Sequence, residues 1–326
     1  MKNLIILSCL IVSWQFTIAQ DLLNEFYIKY SREHYVKTIE EKGLSPVNLA
    51  DTNAIVCPSE VKTLIVQFNS KNYRTIEALS PFYNVESILF YGPFQNTPAD
   101  ISNLHLLKEV VFCGVDQKFL DSVILQLAAL PNLEQVRLIG IKSLPNAIVK
   151  LPHLKTLSIS NSQKISFCDI HNSMDSLQII EIFNTKVSFN KSFKGFKNLK
   201  AITLTNTKLK RIPDFLFYSF SINYIVINNI SLKKTEVDNI AALSSLECIK
   251  LIDCQIKHFP DCLGKLKFLS VLMLSNNKIS VLPETINDFK NLKLLDISNN
   301  PIKKNAKIDS LILDIAKAKK DLKIIR

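Results

Sequence analysis

The sequence predicts an α/β fold of one kind, a curved solenoid shaped like a horseshoe. We expect a parallel β-sheet on its concave face, short helices or 3-10 turns on its convex face, and a helical cap at each end. The pattern L-x-x-L-x-L-x-x-N-x-L starts at Leu269 and again at Leu292, 292 − 269 = 23 residues later. Weaker copies precede these two, and Pro-containing segments such as Leu282-Pro283 follow several of them. A fixed period of ~20–29 residues with this spacing predicts stacked repeats.

Each repeat is expected to contribute one short strand and one return segment. In L-x-x-L-x-L the alternating apolar residues describe a strand with one buried face. The Asn that follows can bond backbone groups that the turn leaves unpaired, and stacked copies form a ladder. Because one unit cannot bury its own leucines, several units must stack and two caps must close the ends.

We find about eleven repeats between residues 61 and 302, spaced by 21 to 26 residues. The match is strong from Leu199 onward and moderate for the first two repeats, whose loops fit poorly. In the longest repeat, the spacing of Phe119, Val123 and Leu127 predicts a true helix on the convex side. The repeats begin at Val61, Val85, Leu107, Leu133, Leu154, Leu177, Leu199, Ile222, Leu246, Leu269 and Leu292.

The asparagine ladder is predicted to be incomplete. The ninth residue of a repeat is Asn in only three of the eleven repeats, and Ser, Thr or Cys in four others can partly substitute. Val115, Ile141 and Ile230 cannot substitute, because their side chains offer no hydrogen bond. We therefore expect water or shifted turns to satisfy the backbone there.

Residues 1–19 are predicted to be an export signal peptide. Lys2 supplies a positive start, Leu4 to Val12 an apolar core, and Ala19 ends a small-residue cleavage site, so the mature chain is expected to begin near Gln20. A lipoprotein signal ending before Cys9 is the alternative, although its apolar run is short. The protein is therefore expected in the periplasm, at the cell surface or in the medium.

Helical caps are predicted at both ends of the solenoid. Residues 20–60 hold an amphipathic stretch, 21–44, followed by a connector. Residues 303–326 have apolar residues at helical spacing and late lysines, which suit a helix C-terminus. The alternatives are a partner-binding helix at the N-terminus and a membrane-surface helix at the C-terminus. No stable transmembrane segment is predicted, since a span needs ~20 apolar residues.

Residues 245–302, SLECIKLIDCQIKHFPDCLGKLKFLSVLMLSNNKISVLPETINDFKNLKLLDISNNPI, resemble the leucine-rich repeat superfamily in its variant with L-P-x-x-I-x-x-L returns. The resemblance covers residues 61–302 and implies parallel strands on the concave face, where members commonly bind proteins. The short stand-alone architecture is similar to exported repeat proteins of Bacteroidetes-like bacteria. The missing Cys-rich caps and signalling domains argue against eukaryotic receptor functions.

Strand alternation places the third, fifth, seventh and eighth residues of each repeat on the concave surface. Eleven strands ~4.8 Å apart give an arc of roughly 50 Å, which is ample for a protein interface. Apolar and aromatic residues on this surface indicate an interaction patch, unless the N-terminal helix or loops cover them. The predicted partner-binding residues are Phe68, Leu89, Tyr91, Val111, Arg137, Ile139, Glu181, Phe183, Tyr224, Lys250 and Met273.

The leading functional prediction is a non-catalytic, monomeric protein–protein interaction module that binds a protein or peptide through its concave face. The alternative is a cell-surface adhesin or structural protein that binds a polyanionic glycan, since the formal net charge is +11. Glycan binding should weaken steeply with ionic strength, whereas binding to an apolar patch should not. Export argues against a nucleic-acid partner.

No catalytic, cofactor-binding or metal site is predicted. The five His residues are scattered, and HExxH, GxSxG and Gly-rich phosphate loops are absent from the sequence. Six cysteines besides Cys9 lie without paired CxxC spacing, so we expect mostly free, buried or half-buried thiols. Cys168 and His171 are close in sequence, which is weak support for Cys–His catalysis. An enzyme, the third alternative, would need a pocket of ionisable groups with shifted pKa values.

Overall fold

A parallel sheet of thirteen strands runs along the computed structural model of the chain. The structure describes residues 47–48, 60–67, 79, 81–94, 101–167, 174–189, 196–303 and 322–326. Strands follow one another in chain order across this sheet, except that β7 and β9 pair with each other in a separate two-stranded sheet. The strands are β1 Val47–Asn48, β2 Thr63–Gln67, β3 Ser87–Tyr91, β4 Glu109–Cys113, β5 Gln135–Ile139, β6 Thr156–Ser160, β7 Lys164–Ser166, β8 Ile179–Phe183, β9 Lys186–Ser188, β10 Ala201–Thr205, β11 Tyr224–Asn228, β12 Cys248–Ile252, β13 Val271–Met273, β14 Leu294–Asp296 and β15 Lys323–Ile325.

Each of the eleven predicted repeats contributes one strand to the long sheet, starting at its third residue. Val61 precedes β2 at Thr63, and Leu292 precedes β14 at Leu294. Neighbouring strands pair in register, so that Ile202 lies beside Ile180 and Ile225. This confirms the parallel-sheet solenoid.

The core is a continuous spine of side chains that alternate inward along the strands. Leu204, Leu251 and Leu274 are fully buried, and Ile297 is 2% exposed. Full burial of such a side chain contributes roughly 1.5–3 kcal/mol. Because each repeat buries its leucines against the next one, the spine extends through the whole stack of repeats.

The convex side carries the short helices that the sequence predicts. Among the residues that the structure describes, two of these are α-helices, α1 Gln117–Leu127 and α2 Lys234–Ile240, and α1 buries Phe119, Val123 and Leu127 as expected. The other four are 3-10 helices, each starting directly after a proline, which suits the first turn because its φ is fixed near the helical value. They are Asn146–Lys150, Asp214–Tyr218, Asp261–Lys265 and Glu284–Asp288.

Two adjacent repeats form a second short sheet at the start of their return segments. Strands β7 and β9 pair in parallel. Behind them Phe167 stacks on Phe189 with ring centroids 4.9 Å apart, and Phe189 lies 5.0 Å from Phe215. These aromatic contacts connect the second sheet to the 3-10 helix Asp214–Tyr218 of the next return segment.

Both ends of the sheet carry a strand that the sequence analysis does not include. Strand β1 pairs with β2, and β15 pairs with β14 in parallel. The helical cap predicted over 303–326 is therefore wrong for Lys323–Ile325, which form a strand because the edge of β14 offers unpaired backbone groups. The predicted signal peptide, residues 20–46 of the predicted N-terminal cap and residues 304–321 lie outside the described residues.

After the strand, the chain adopts a left-handed conformation at the eighth position of each of the ten repeats in which that residue is described. Gly92, Gly114 and Gly140 fill it in three early repeats, with φ of 104°, 62° and 69°. Asn or Asp fills it in the other seven, because these side chains tolerate positive φ better than others. Those residues are Asn161, Asn184, Asn206, Asn229, Asp253, Asn276 and Asn299.

Four of these asparagines form an amide ladder at the end of the strands. The Nδ2 atom of Asn184 donates to Oδ1 of Asn161 over 3.1 Å, Asn206 donates to Asn184 over 2.9 Å, and Asn229 donates to Asn206 over 2.7 Å. The sequence analysis missed this ladder because it followed only the ninth position.

A second ladder lies one residue further on, at the ninth position, as predicted. The Asn277 side chain accepts hydrogen bonds from the backbone of Cys254 and Ile256 and donates to Leu251 and Leu274. Hydroxyls substitute in part, since Ser162 Oγ accepts from the Ile141 backbone and donates to its own strand. Sequence and structure agree that this ladder is incomplete.

No helix among the residues that the structure describes is long and apolar enough to cross a membrane.

Candidate protein-binding surface

The concave face consists of the third, fifth and seventh residues of each repeat, which point away from the leucine spine. Three of the predicted binding residues are buried on this face. Leu89 is 1% exposed, Val111 is fully buried, and Lys250 is 2% exposed. The prediction of an open patch at these three positions is therefore wrong.

Leu89 and Val111 belong to a small apolar cluster that is separate from the main core. Ile65, Leu89 and Val111 lie side by side in register on three adjacent strands. Tyr91 and Ile139 are partly buried against this cluster, together with Cys113. Cross-strand neighbours approach closely, so packing within this cluster contributes to the burial of the first repeats' concave residues. The predicted N-terminal helix that could also cover them lies outside the described residues.

The buried Lys250 lies beside the half-buried Tyr224 in the later repeats. Nζ of Lys250 lies 5.5 Å from the centroid of the Tyr224 ring, within the range of a cation–π interaction. Val226 beside Lys250 on β11 is also buried. The lysine ammonium is therefore held against an aromatic ring instead of extending into solvent.

The predicted binding residues in the middle of the sheet stay accessible. Arg137 on β5 is half-buried, and its Nε lies 2.7 Å from Oε1 of Glu109. Glu181 and Phe183 on β8 are also half-buried, and Ile179 on the same strand is 36% exposed. Met273 is half-buried further along the face. Phe68 lies outside the described residues.

Strand β8 stands out because the strands on both sides of it carry small side chains. Ile179, Glu181 and Phe183 lie in register with Thr156, Ser158 and Ser160 of β6 on one side. On the other side they lie beside Ala201, Thr203 and Thr205 of β10. Two large apolar side chains therefore form a ridge with a shallow depression on each flank. Sequence analysis did not select Ile179, although its third position in the repeat is the signal that identifies it.

A groove of about 870 Å³ lies on the convex side between α2 and the 3-10 helix Asp261–Lys265. Its walls include Asp238, His258 and Cys262. Burial, together with the Asp238 carboxylate, raises the pKa of the Cys262 thiol to about 11. The thiol is protonated at neutral pH, whereas a nucleophilic cysteine needs a lowered pKa.

The four cysteines that the structure describes are free thiols, as expected. Cys254 is buried, and burial raises its pKa to about 12. Its Sγ donates to the backbone carbonyls of Ile227 and Ile252, 3.3 and 3.2 Å away. Cys254 thus takes the place of an asparagine in the inner ladder. Cys57 and the predicted Cys168 and His171 pair lie outside the described residues.

Among the residues described, no group of three or more His, Cys, Asp or Glu side chains is arranged to hold a metal ion.

No protein-family model and no curated protein sequence matches the chain. Solved structures match the chain in fold. An internalin (inlF) from Listeria monocytogenes is 20% identical over 82% of this chain and 80% of its own, with a TM-score of 0.55. The mouse RP105/MD-1 complex is 16% identical over 86% of this chain and 57% of its own, with a TM-score of 0.56. The TLR13–ssRNA13 complex is 16% identical over 83% of this chain and 42% of its own, with a TM-score of 0.54.

These likenesses concern the fold, because every identity is at or below 20%. They agree with the two features on which the sequence prediction depends, a repeat of 21 to 26 residues and one in-register parallel strand per repeat. The repeat pattern, the sheet and these neighbours together identify the chain as a leucine-rich repeat solenoid.

Proposed function

We propose that the chain is a non-catalytic binding module that holds a protein or peptide against the middle of its concave face, at the β8 ridge. The observation that carries this proposal is the placement of Ile179, which is 36% exposed, and of the half-buried Phe183 between two strands of small side chains. Large apolar anchors surrounded by smaller contacts are typical of binding hot spots. Leu89, Val111 and Lys250 have no part in it, because they are buried.

Charge favours a polypeptide over a nucleic acid at this ridge. Glu181 lies between the two apolar anchors, and Glu109 lies further along the same face, paired with Arg137. Carboxylates repel phosphate groups, whereas mixed charges give specificity between proteins. The structural neighbours include a complex with a protein and a complex with a single-stranded RNA, so the fold alone does not choose between these partners.

The experiment is affinity capture with three matched baits. Wild type, Ile179→Ala/Phe183→Ala, and the convex-side control Leu125→Ala/Val281→Ala are incubated with envelope and secreted fractions of the source organism. Each double variant removes two apolar side chains. Ile179 is 36% exposed and Phe183 half-buried, whereas Leu125 is 52% and Val281 66% exposed. We expect proteins retained by wild type and the control to be lost from the ridge variant, with melting temperatures within a few degrees of each other. Equal retention on all three baits would place the interface elsewhere.

The second candidate function is binding of a polyanionic glycan, which the net charge of +11 favours. Binding of this kind depends on counterion screening and falls steeply between about 0.05 and 0.5 M salt. Ridge binding is expected to persist over the same range. Elution of captured material by salt alone, from all three baits equally, would support the glycan function and count against the ridge.

The proposal includes export, which the export-type N-terminal sequence of residues 1–19 supports. We expect the mature protein to begin near Gln20 and to appear in the envelope or the medium. N-terminal sequencing of the protein purified from its source checks this. A chain that retains Lys2 would contradict it, and a lipid-modified Cys9 at the N-terminus would instead identify a lipoprotein.

A further inference from the structure

Two phenylalanine side chains project from one lateral edge of the solenoid, and Tyr218, the last residue of a neighbouring 3-10 helix, is exposed as well. Phe220 is 73%, Tyr218 70% and Phe268 63% exposed, which makes them the three most exposed large aromatic residues that the structure describes. A phenyl ring has no hydrogen-bonding atom, so exposure of two phenylalanines to water is unfavourable without a partner. Isolated exposed apolar residues are ordinary, but a group on one edge indicates an interaction surface.

The strand register places the two phenylalanines at the same edge. Phe220 lies four residues before β11, and Phe268 lies three residues before β13, so both precede the start of a strand. Ser245 Oγ donates to the Phe220 carbonyl over 2.8 Å and fixes this turn to the next repeat. One strand separates β11 from β13, which puts the two turns roughly 10 Å apart. The edge is lateral, so contact with it leaves the β8 ridge accessible.

Lysines surround the aromatic group. Backbone hydrogen bonds connect the second residues of successive repeats, from Lys200 through Asn223, Glu247 and Ser270 to Lys293. In the turns that precede the strands of these five repeats, the described acidic side chains are Glu247 and Asp288. The exposed lysines of this edge are Lys197, Lys200, Lys265, Lys267, Lys290 and Lys293.

We propose that this aromatic and basic edge docks on an anionic phospholipid surface, with the Phe220 and Phe268 rings inserted at the headgroup level and the lysines paired with lipid phosphates. Protruding aromatic rings beside lysines are the combination that binds the interface of a membrane without crossing it. Each lysine close to an anionic surface adds to the attraction. Neither feature alone would be sufficient, since rings without charge and charge without rings both bind weakly.

The same features argue against two other occupants. A second copy of this chain would bring six more lysines to the edge, so the charges would repel. A sulfated or carboxylated glycan would satisfy the lysines but would leave the phenyl rings, which cannot donate or accept a hydrogen bond, in contact with water. An anionic lipid surface provides both the negative charge and an apolar layer beneath it.

The test is sedimentation of the purified protein with vesicles of phosphatidylcholine alone and of phosphatidylcholine with phosphatidylglycerol. We expect binding to the anionic vesicles, little binding to the neutral ones, and a loss of at least about tenfold in the partition coefficient for Phe220→Ser/Phe268→Ser. The control Leu125→Ser/Val281→Ser removes two exposed apolar side chains elsewhere and should bind as wild type. Circular dichroism melting of all three proteins checks that they are folded.

A single tryptophan reports insertion directly. Trp14 is the only tryptophan in the sequence and lies in the predicted signal peptide, so a mature chain with Phe268→Trp has one tryptophan, at the edge. We expect its emission to shift to shorter wavelength when anionic vesicles are added, and the mature Leu125→Trp chain to show no shift. Equal binding to neutral vesicles, an unchanged partition coefficient for Phe220→Ser/Phe268→Ser, binding to soluble heparin without binding to vesicles, or a dimer that this double variant dissociates would each overturn the proposal.

Discussion

At the scale of the residue, the polar side chains after each strand hold neighbouring repeats together. Asn277 is 5% exposed and joins three segments of backbone through one amide group. Its Oδ1 accepts from two backbone N–H groups, and its Nδ2 donates to carbonyls of its own repeat and of the preceding one. An amide is the shortest side chain that can both donate and accept in this way. This explains why Asn recurs here, and why Ser162 or Thr185 only partly substitutes.

Asn277→Ala is expected to lower the free energy of unfolding by about 3 kcal/mol. The substitution leaves several buried backbone groups without partners, and each unsatisfied group costs about 1–3 kcal/mol. Water that enters the site recovers part of this cost. The control is Asn291→Ala, which removes one exposed hydrogen bond, from Nδ2 to the Lys267 carbonyl, and should cost under about 1 kcal/mol. Urea unfolding followed by circular dichroism measures both. Equal losses would show that the buried ladder adds nothing.

Gly140 has a φ of 69°, and substitutions at this residue test how much the left-handed turn contributes to stability. A β-carbon at Gly140 would meet no atom closer than 3.9 Å, so the backbone angle and not the space restricts this residue. Gly140→Val is therefore expected to destabilise the protein by about 2 kcal/mol, because a β-branched residue is strained at positive φ. Gly140→Asn should cost well under half of that, as Asn fills the equivalent position in six repeats. Thermal unfolding separates the two variants, and a harmless valine would contradict the prediction.

At the scale of the element, the convex segments differ in form because each must cover the same strand spine with a different number of residues. The repeat of 26 residues has room for α1, whereas repeats with a proline return use one 3-10 helix. Phe119 of α1 stacks on Phe94 at 4.6 Å between centroids and meets Phe90 at 5.4 Å. Aromatic packing beneath α1 thus joins it to the preceding repeats.

Phe119→Ala is expected to cost about 3–5 kcal/mol, because it empties a fully enclosed site and removes two ring contacts. The matched control lies on the same helix. Leu125 is 52% exposed, so Leu125→Ala should change stability by about 0.5 kcal/mol or less. Guanidinium unfolding of both variants measures the difference. If both lose the same amount, α1 does not pack through Phe119.

At the scale of the whole molecule, stability depends on contacts between neighbouring repeats, and the two outer strands are the positions with a neighbour on one side only. Strand β15 covers the edge of β14 through a parallel ladder that includes Leu295 beside Ile324. Leu322, just before it, is 9% exposed. An uncovered edge strand is a template for association with other chains, so the final residues protect the stack as well as extend it.

Deletion of residues 322–326 is expected to lower the melting temperature and to increase aggregation, because it exposes the edge of β14. Lys323→Ser keeps the strand and removes only an exposed charge, so it serves as the control and should behave as wild type. Light scattering during a thermal ramp measures both properties. A deletion variant as soluble and as stable as Lys323→Ser would show that β15 has no capping role.

The repeat spacing by itself determined the fold and the position of all eleven strands, because apolar residues at this spacing can be buried only when the units stack in register. The leucine spine, the α1 helix and the proline returns follow from the same local pattern. The sequence also indicates the left-handed turn, because Gly, Asn or Asp occupies the eighth position of ten repeats.

Only the tertiary structure decided which concave residues are accessible. Exposure depends on what lies on the neighbouring strands, and local sequence does not encode it. Leu89 and Ile179 are both apolar residues at concave positions, yet Leu89 packs between Ile65 and Val111, whereas Ile179 lies between Thr156 and Ala201 and remains 36% exposed. The strand at the C-terminal edge was decided in the same way, because β15 forms through a pairing with β14 that its own residues do not specify.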